Sequence, residues 1–116
     1  MSRPLPVEMF FDFASPYAYF ASERIEELCA RAGAQVQWRP IMLGAIFPRT
    51  GAKPLLSDGV RGEYARMDCA RWARLHGIPY REPVNFPVNS LKAARGALLL
   101  ADHPLRSDYV HACFRA

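Results

Sequence analysis

Among the residues able to take part in chemistry, Ser15 has the most informative surroundings. It lies in Phe11-Asp12-Phe13-Ala14-Ser15-Pro16-Tyr17-Ala18-Tyr19, between an alternating apolar segment and a helical pattern. A hydroxyl there sits just beyond the carboxyl end of a strand and opens a helix. Backbone N–H groups without helical partners, together with the helix dipole, make that place positive. It therefore stabilises an anion, a thiolate included. The same position equally suits a serine that only caps the helix. Asp12 reads as a turn or strand-end carboxylate, or as a group facing a substrate. Tyr17 and Tyr19 read as cover for the core, or as walls of a pocket.

The cysteines offer less. Cys29, Cys69 and Cys113 form no Cys-x-x-Cys pair and match no zinc spacing. Cys29 and Cys69 fall in helical stretches among apolar neighbours and read as buried free thiols. Unpaired cysteines suit a reducing compartment such as the cytoplasm.

The elements that must position Ser15 follow from periodicity. Val7 to Phe13 alternates, with Val7, Met9, Phe11 and Phe13 on one side and Glu8, Phe10 and Asp12 on the other. Period two with many aromatics predicts a strand, and Phe10 suggests one covered on both faces. Pro16 to Ala32 predicts a helix: proline fits its first position, and Ala21, Ile25, Leu28, Cys29 and Ala32 recur at helical spacing. Gly33 terminates it. Gln35 to Arg39 is a short second strand. Strand, helix and strand form a βαβ unit with parallel strands and a right-handed crossover.

The remainder is helical. Residues 41–58 are broken by glycine and proline, with a short helical turn at Ile41 to Phe47. A helix from Gly59 to His76 carries an apolar stripe at Val60, Tyr64, Met67 and Leu75, and Gly77 and Pro79 end it. Residues 78–89 form an extended loop. Ser90 caps a helix from Leu91 to about Ala101, and a last one starts at Leu105. The class is α/β, but two strands do not make a stable sheet alone. The expectation is therefore an incomplete fold, truncated at its C-terminal side.

With 116 residues, 51% of them hydrophobic and a net charge of +4, the composition is that of a globular chain. The arginines are scattered, without the stripe or module that nucleic-acid binding requires. No apolar run is long enough to span a membrane, and no signal peptide is visible at the start.

Ser15-Pro16-Tyr17-Ala18 stands where thioredoxin-like oxidoreductases carry Cys-Pro-x-Cys, and neither redox cysteine is present. The string FFDFASPYAYFAS instead resembles the opening of the 2-hydroxychromene-2-carboxylate isomerases and of the related kappa-class glutathione transferases. The resemblance continues, in order and spacing, through Trp38 to Phe47, Thr50 to Pro54, Arg61 to Tyr64, Asp68, Arg71 to Ala73, Gly77 to Pro79 and Pro83 to Ser90.

This resemblance implies a DsbA-type thioredoxin-like fold. Residues 1–44 would be the N-terminal βαβ part, and residues 45–116 a helical insertion cut at its C-terminal side. It implies glutathione as cofactor, a small aromatic substrate and a glutathione-dependent cis–trans isomerisation in aromatic-compound catabolism. In it, the Ser15 hydroxyl hydrogen-bonds the glutathione sulfur as a thiolate. Arg61 and Lys53 would join Ser15 in holding glutathione, and Asp12, Tyr17 and Tyr19 would border the substrate.

Two positions depart from the family pattern. Ala52 replaces an asparagine that contacts glutathione, and Arg61 replaces a lysine to which it is not equivalent. A cis-proline loop facing the serine is expected beyond Ala116, and the 116-residue segment alone is expected to have little activity. A homodimer is a further expectation, resting on the apolar side chains after Ser90. A kappa-like transferase and a non-catalytic thioredoxin-like binding protein are the competing readings.

Overall fold

The alternation at the start of the chain does produce a strand, shifted by two residues from its predicted bounds. A computed structural model describes residues 4–82 and 89–116. Strand β1 (Leu5–Phe11) leads into helix α1 (Pro16–Arg31) and strand β2 (Ala34–Pro40). The two strands pair in parallel, with Met9 opposite Trp38 and Phe11 opposite Pro40. Then come α2 (Leu43–Thr50), a 3-10 turn (Leu55–Ser57), α3 (Gly59–His76), α4 (Leu91–Leu99) and α5 (Arg106–Arg115). The α/β class and the βαβ opening are as the sequence predicts. Of the expected extended loop, residues 83–88 lie outside the described residues.

Helix α1 starts where its sequence says it must. Ser15 has an extended backbone, its Oγ accepts from Ala18 N at 3.2 Å, and Pro16 follows at the first helical position. The helix ends before Gly33, whose φ of +70° is a left-handed conformation that glycine adopts without steric cost. Its buried side is Tyr19, Phe20, Ser22 and Cys29. Ala21 and Leu28, expected on the apolar face, are exposed. The aromatics of the first turn demand more cover than a leucine does, and they set the helix rotation.

The core lies on one face of the β1–β2 pair. Met9, Phe11, Val36 and Trp38 pack there with Cys29 of α1, Ala97 of α4 and Val110 of α5. Trp38 Nε1 donates to Ser107 Oγ at 3.0 Å, which satisfies the indole where it is buried. On the other face Phe10 is 62% exposed, contrary to the two-sided cover its apolar character suggested. Glu8 and Arg39 form an ion pair on that face at 3.1 Å.

A second cluster joins Tyr19 and Phe20 of α1 to Cys69 of α3 and to Ile78. Phe114 of α5 packs against both clusters. Helix α3 has its predicted bounds but turns a different face inward. Gly62, Ala65 and Cys69 are buried, whereas Val60, Tyr64, Met67 and Leu75 are exposed. The reason is close approach. A Cβ at Gly62 would lie 2.7 Å from the Leu56 carbonyl oxygen, so α3 reaches the 3-10 turn through its small residues. Among the described residues no helix is long and apolar enough to cross a membrane.

Candidate active site

Ser15 opens onto a cavity of about 870 Å³. The β1–α1 loop supplies Phe13, Ala14 and Ser15, α1 supplies Tyr19 and Glu23, and Pro79, Tyr80 and Arg81 follow α3. Asn89, Ser90 and Ala93 come from the start of α4, and Cys113, Phe114 and Arg115 from the end of α5.

The polar groups around Ser15 are largely committed. Pro16 has no N–H, Ala18 N is taken by Ser15 Oγ, and Tyr19 N donates to the Ser15 carbonyl at 3.1 Å. A hydroxyl has one donor and two acceptor lone pairs. As Ser15 Oγ accepts from Ala18 N, its own hydrogen remains to be donated, and it has no acceptor among the described residues. It sits where the α1 dipole favours negative charge.

Asp12 is buried and does not border the cavity. Its Oδ1 accepts from Ala14 N at 2.8 Å and from Ser90 Oγ at 2.7 Å, and its Oδ2 accepts from Leu43 N at 2.9 Å. Ser90 therefore does not cap α4 with its side chain. The hydroxyl is drawn to the buried carboxylate, and Asn89 Oδ1 accepts from Leu91 N at 3.2 Å.

The two tyrosines part company. Tyr19 lines the cavity, stacks on Phe114 with ring centroids 6.0 Å apart, and donates its hydroxyl to the Pro79 carbonyl. Tyr17 turns toward α3 and donates to Asp68 Oδ2 at 2.5 Å, away from the cavity lining. Burial and this bond to a carboxylate hold the Tyr17 phenol well above its ordinary range. Lys53 and Arg61 are exposed and do not line the cavity. Arg61 pairs with Asp58 at 3.4 Å on the surface, which answers the unfavourable charge of an arginine in a first helical turn.

Residues 6–116 match the DSBA-like thioredoxin domain family. The chain belongs to that family.

Within the family it is similar to 2-hydroxychromene-2-carboxylate isomerase of Pseudomonas putida, with 31% identity over 95% of this chain and 54% of the relative. A second isomerase of that name, from Pseudomonas sp. (strain C18), is 30% identical over 95% of this chain and 52% of its own length. Glutathione S-transferase kappa 1 of Caenorhabditis elegans is 30% identical over 69% of this chain and 36% of the relative. A solved structure of 2-hydroxychromene-2-carboxylate isomerase superposes with a TM-score of 0.82 at 31% identity, over 97% of this chain and 55% of that one. The chain thus spans about half the length of the curated isomerases from Pseudomonas that it matches.

A thiolate fits this family member's donor set. A hydroxyl hydrogen at a helix N-terminus, with Ala14 N, Ser15 N, Ala18 N and Tyr19 N already used, is one directed donor for one anionic acceptor. Arg115 and Glu23 add a charged pair to the wall, with Nε to Oε1 at 2.7 Å and Nη2 to Oε2 at 2.9 Å. The Arg115 hydrogen bond holds the Glu23 carboxyl below its ordinary range against the opposing effect of burial.

Glu23, Tyr80, Arg81, Cys113 and Arg115 were not singled out as site residues in the sequence. They reach the cavity from α1, the segment after α3 and the end of α5, and no local pattern links such distant positions. The apolar recurrence of Tyr109, Val110, Cys113 and Phe114 was the one available signal, and it indicated only that this helix has a face to bury.

Proposed function

We propose that this chain carries the Ser15 side of a glutathione-dependent isomerase site of the 2-hydroxychromene-2-carboxylate type. The observation that carries the reading is the Ser15 hydroxyl, which is held by its cap bond to Ala18 N and borders the cavity with its hydrogen undonated among the described residues. Glutathione, when bound, supplies a thiol nucleophile that the chain itself does not offer at this position. Ser15 donates to the sulfur and, with the dipole of α1, favours its anionic form. Phe13, Tyr19 and Phe114 give an aromatic substrate an apolar wall. Arg61 and Lys53 do not line this cavity, so the reading rests on Ser15.

The test is Ser15→Ala in the protein that carries this chain. The expected loss of glutathione-dependent isomerisation is about a hundredfold, the scale of removing one preorganised donor at an anionic centre. Loss of the cap costs only about 1 kcal/mol of stability, which a melting curve separates from the rate. An unchanged rate refutes the assigned role. The similarity to a kappa-class transferase favours a second reading, in which the same serine serves conjugation. Assaying one preparation with a chromene carboxylate and with an electrophilic conjugation substrate decides between them. For a non-catalytic binding protein, neither reaction proceeds and millimolar glutathione leaves the melting temperature unmoved.

A further inference from the structure

We propose that Asp12 is a positioning residue for Ser15 and requires two acceptor oxygens to act as one. The proposal rests on Ser15 being the group that meets the thiol. The Asp12 carboxylate lies below the cavity and ties together two parts of its wall. One is the β1–α1 loop, through Ala14 N at 2.8 Å, and the other is the start of α4, through Ser90 Oγ at 2.7 Å. Its second oxygen holds Leu43 N at 2.9 Å, where β2 gives way to α2. The Asp12 carbonyl also accepts from Ser15 N at 3.0 Å. One residue thus fixes two successive N–H groups of the backbone that leads into Ser15, and ties that loop to α2 and α4.

The chemistry demands a carboxylate. All three partners donate to Asp12, two of them as backbone N–H groups on different oxygens. An asparagine amide in the same place has one acceptor. With Nδ2 replacing Oδ1 it faces the Ala14 N–H, and with Nδ2 replacing Oδ2 it faces the Leu43 N–H. Either orientation leaves a donor against a donor in a buried site, where an unmatched N–H is costly. The hydroxyl of Ser90 can reverse its role, but a backbone N–H cannot. The near-isosteric Asp12→Asn change therefore releases the Ser15 loop without removing volume.

A double-variant cycle tests this in the protein that carries the chain, using the glutathione-dependent reaction. Asp12→Asn is expected to lower kcat by about tenfold or more, as a misplaced donor does, with the KM for the aromatic substrate changed by less than about twofold. Added to Ser15→Ala it is expected to lower the rate no further, because its effect passes through Ser15. The same loss from Asp12→Asn in both backgrounds overturns the proposal, as does no loss in the wild-type background. If Asp12→Asn does not fold, Ser90→Ala removes one of the three donors and is carried through the same cycle. A loss of kcat that vanishes in the Ser15→Ala background then supports the proposal, and a loss equal in both backgrounds, or none, overturns it. A wild-type rate for Ser15→Ala alone refutes the functional reading. A slowed Ser15→Ala beside an unaffected Asp12→Asn refutes only the role of Asp12.

Discussion

Ser15 and Asp12 are three residues apart in sequence and divide the polar work between surface and interior. Ser15 keeps a donor for the cavity, whereas every contact of Asp12 is spent on the protein. The cysteines divide in the same way. Cys69 is 0% exposed among Tyr17, Tyr80 and the α1 aromatics, and burial pushes its thiol above the ordinary range. Cys113 is only partly covered and lines the cavity. Alkylation requires an accessible thiolate. Native protein treated with iodoacetamide is therefore expected to be modified at Cys113 well before Cys69, as read by peptide mass spectrometry, and Cys69 is expected to react only after denaturation. Equal labelling rates would contradict the packing of α3 against α1.

At the scale of elements, α3 shows why periodicity finds a helix more readily than its orientation. Its larger apolar residues, Val60, Tyr64, Met67 and Leu75, are exposed, and its small ones meet the chain. Helix contacts made through small residues bring backbones close, and the energetic consequence is steric. Gly62→Ala places a methyl group 2.7 Å from the Leu56 carbonyl oxygen and 3.1 Å from that of Leu55, both backbone atoms that move only with the 3-10 turn. The variant is expected to lose about 1–3 kcal/mol by chemical denaturation, the range of overpacking. A wild-type denaturation midpoint would show that the turn yields freely.

Across the whole molecule, the two clusters meet at Phe114, and the second includes Tyr17 and Tyr19, whose hydroxyls are donated within the protein. Burial raises the phenols of Tyr17, Tyr19 and Tyr80 above the ordinary value of 10.0, that of Tyr80 to about 12. The sign follows from linkage. Between the ordinary and the raised values the unfolded chain has lost protons that the folded chain keeps. The contribution of these groups is thus fully present below about pH 10 and is lost as pH rises through the folded values. Urea midpoints are expected to fall steadily above about pH 10, and Tyr17→Phe, which removes one ionisable group, is expected to flatten that fall. A midpoint constant to about pH 12 would mean that these hydroxyls are not buried as described.

The βαβ opening, the bounds of α1 and α3, the cap at Ser15 and the family resemblance were all legible in the sequence. Each depends on residues close together in the chain: an alternation of two, a recurrence near 3.6, a Ser-Pro pair, a left-handed glycine. Which face each helix buries was not legible, because that depends on what arrives from elsewhere. Leu28 and the Val60 stripe lost their places to aromatic and small residues that fit the neighbouring elements better. Ser90 read as a helix cap because its neighbours suggest one, but a carboxylate 78 residues earlier claims its hydroxyl. Sequence alone thus determined the local geometry that presents the Ser15 hydroxyl at a helix start. Only the tertiary structure decided that Asp12 lies beneath the cavity rather than on its wall, and that α5 forms part of that wall, since buried hydrogen bonds and packing are settled between segments that chain order keeps apart.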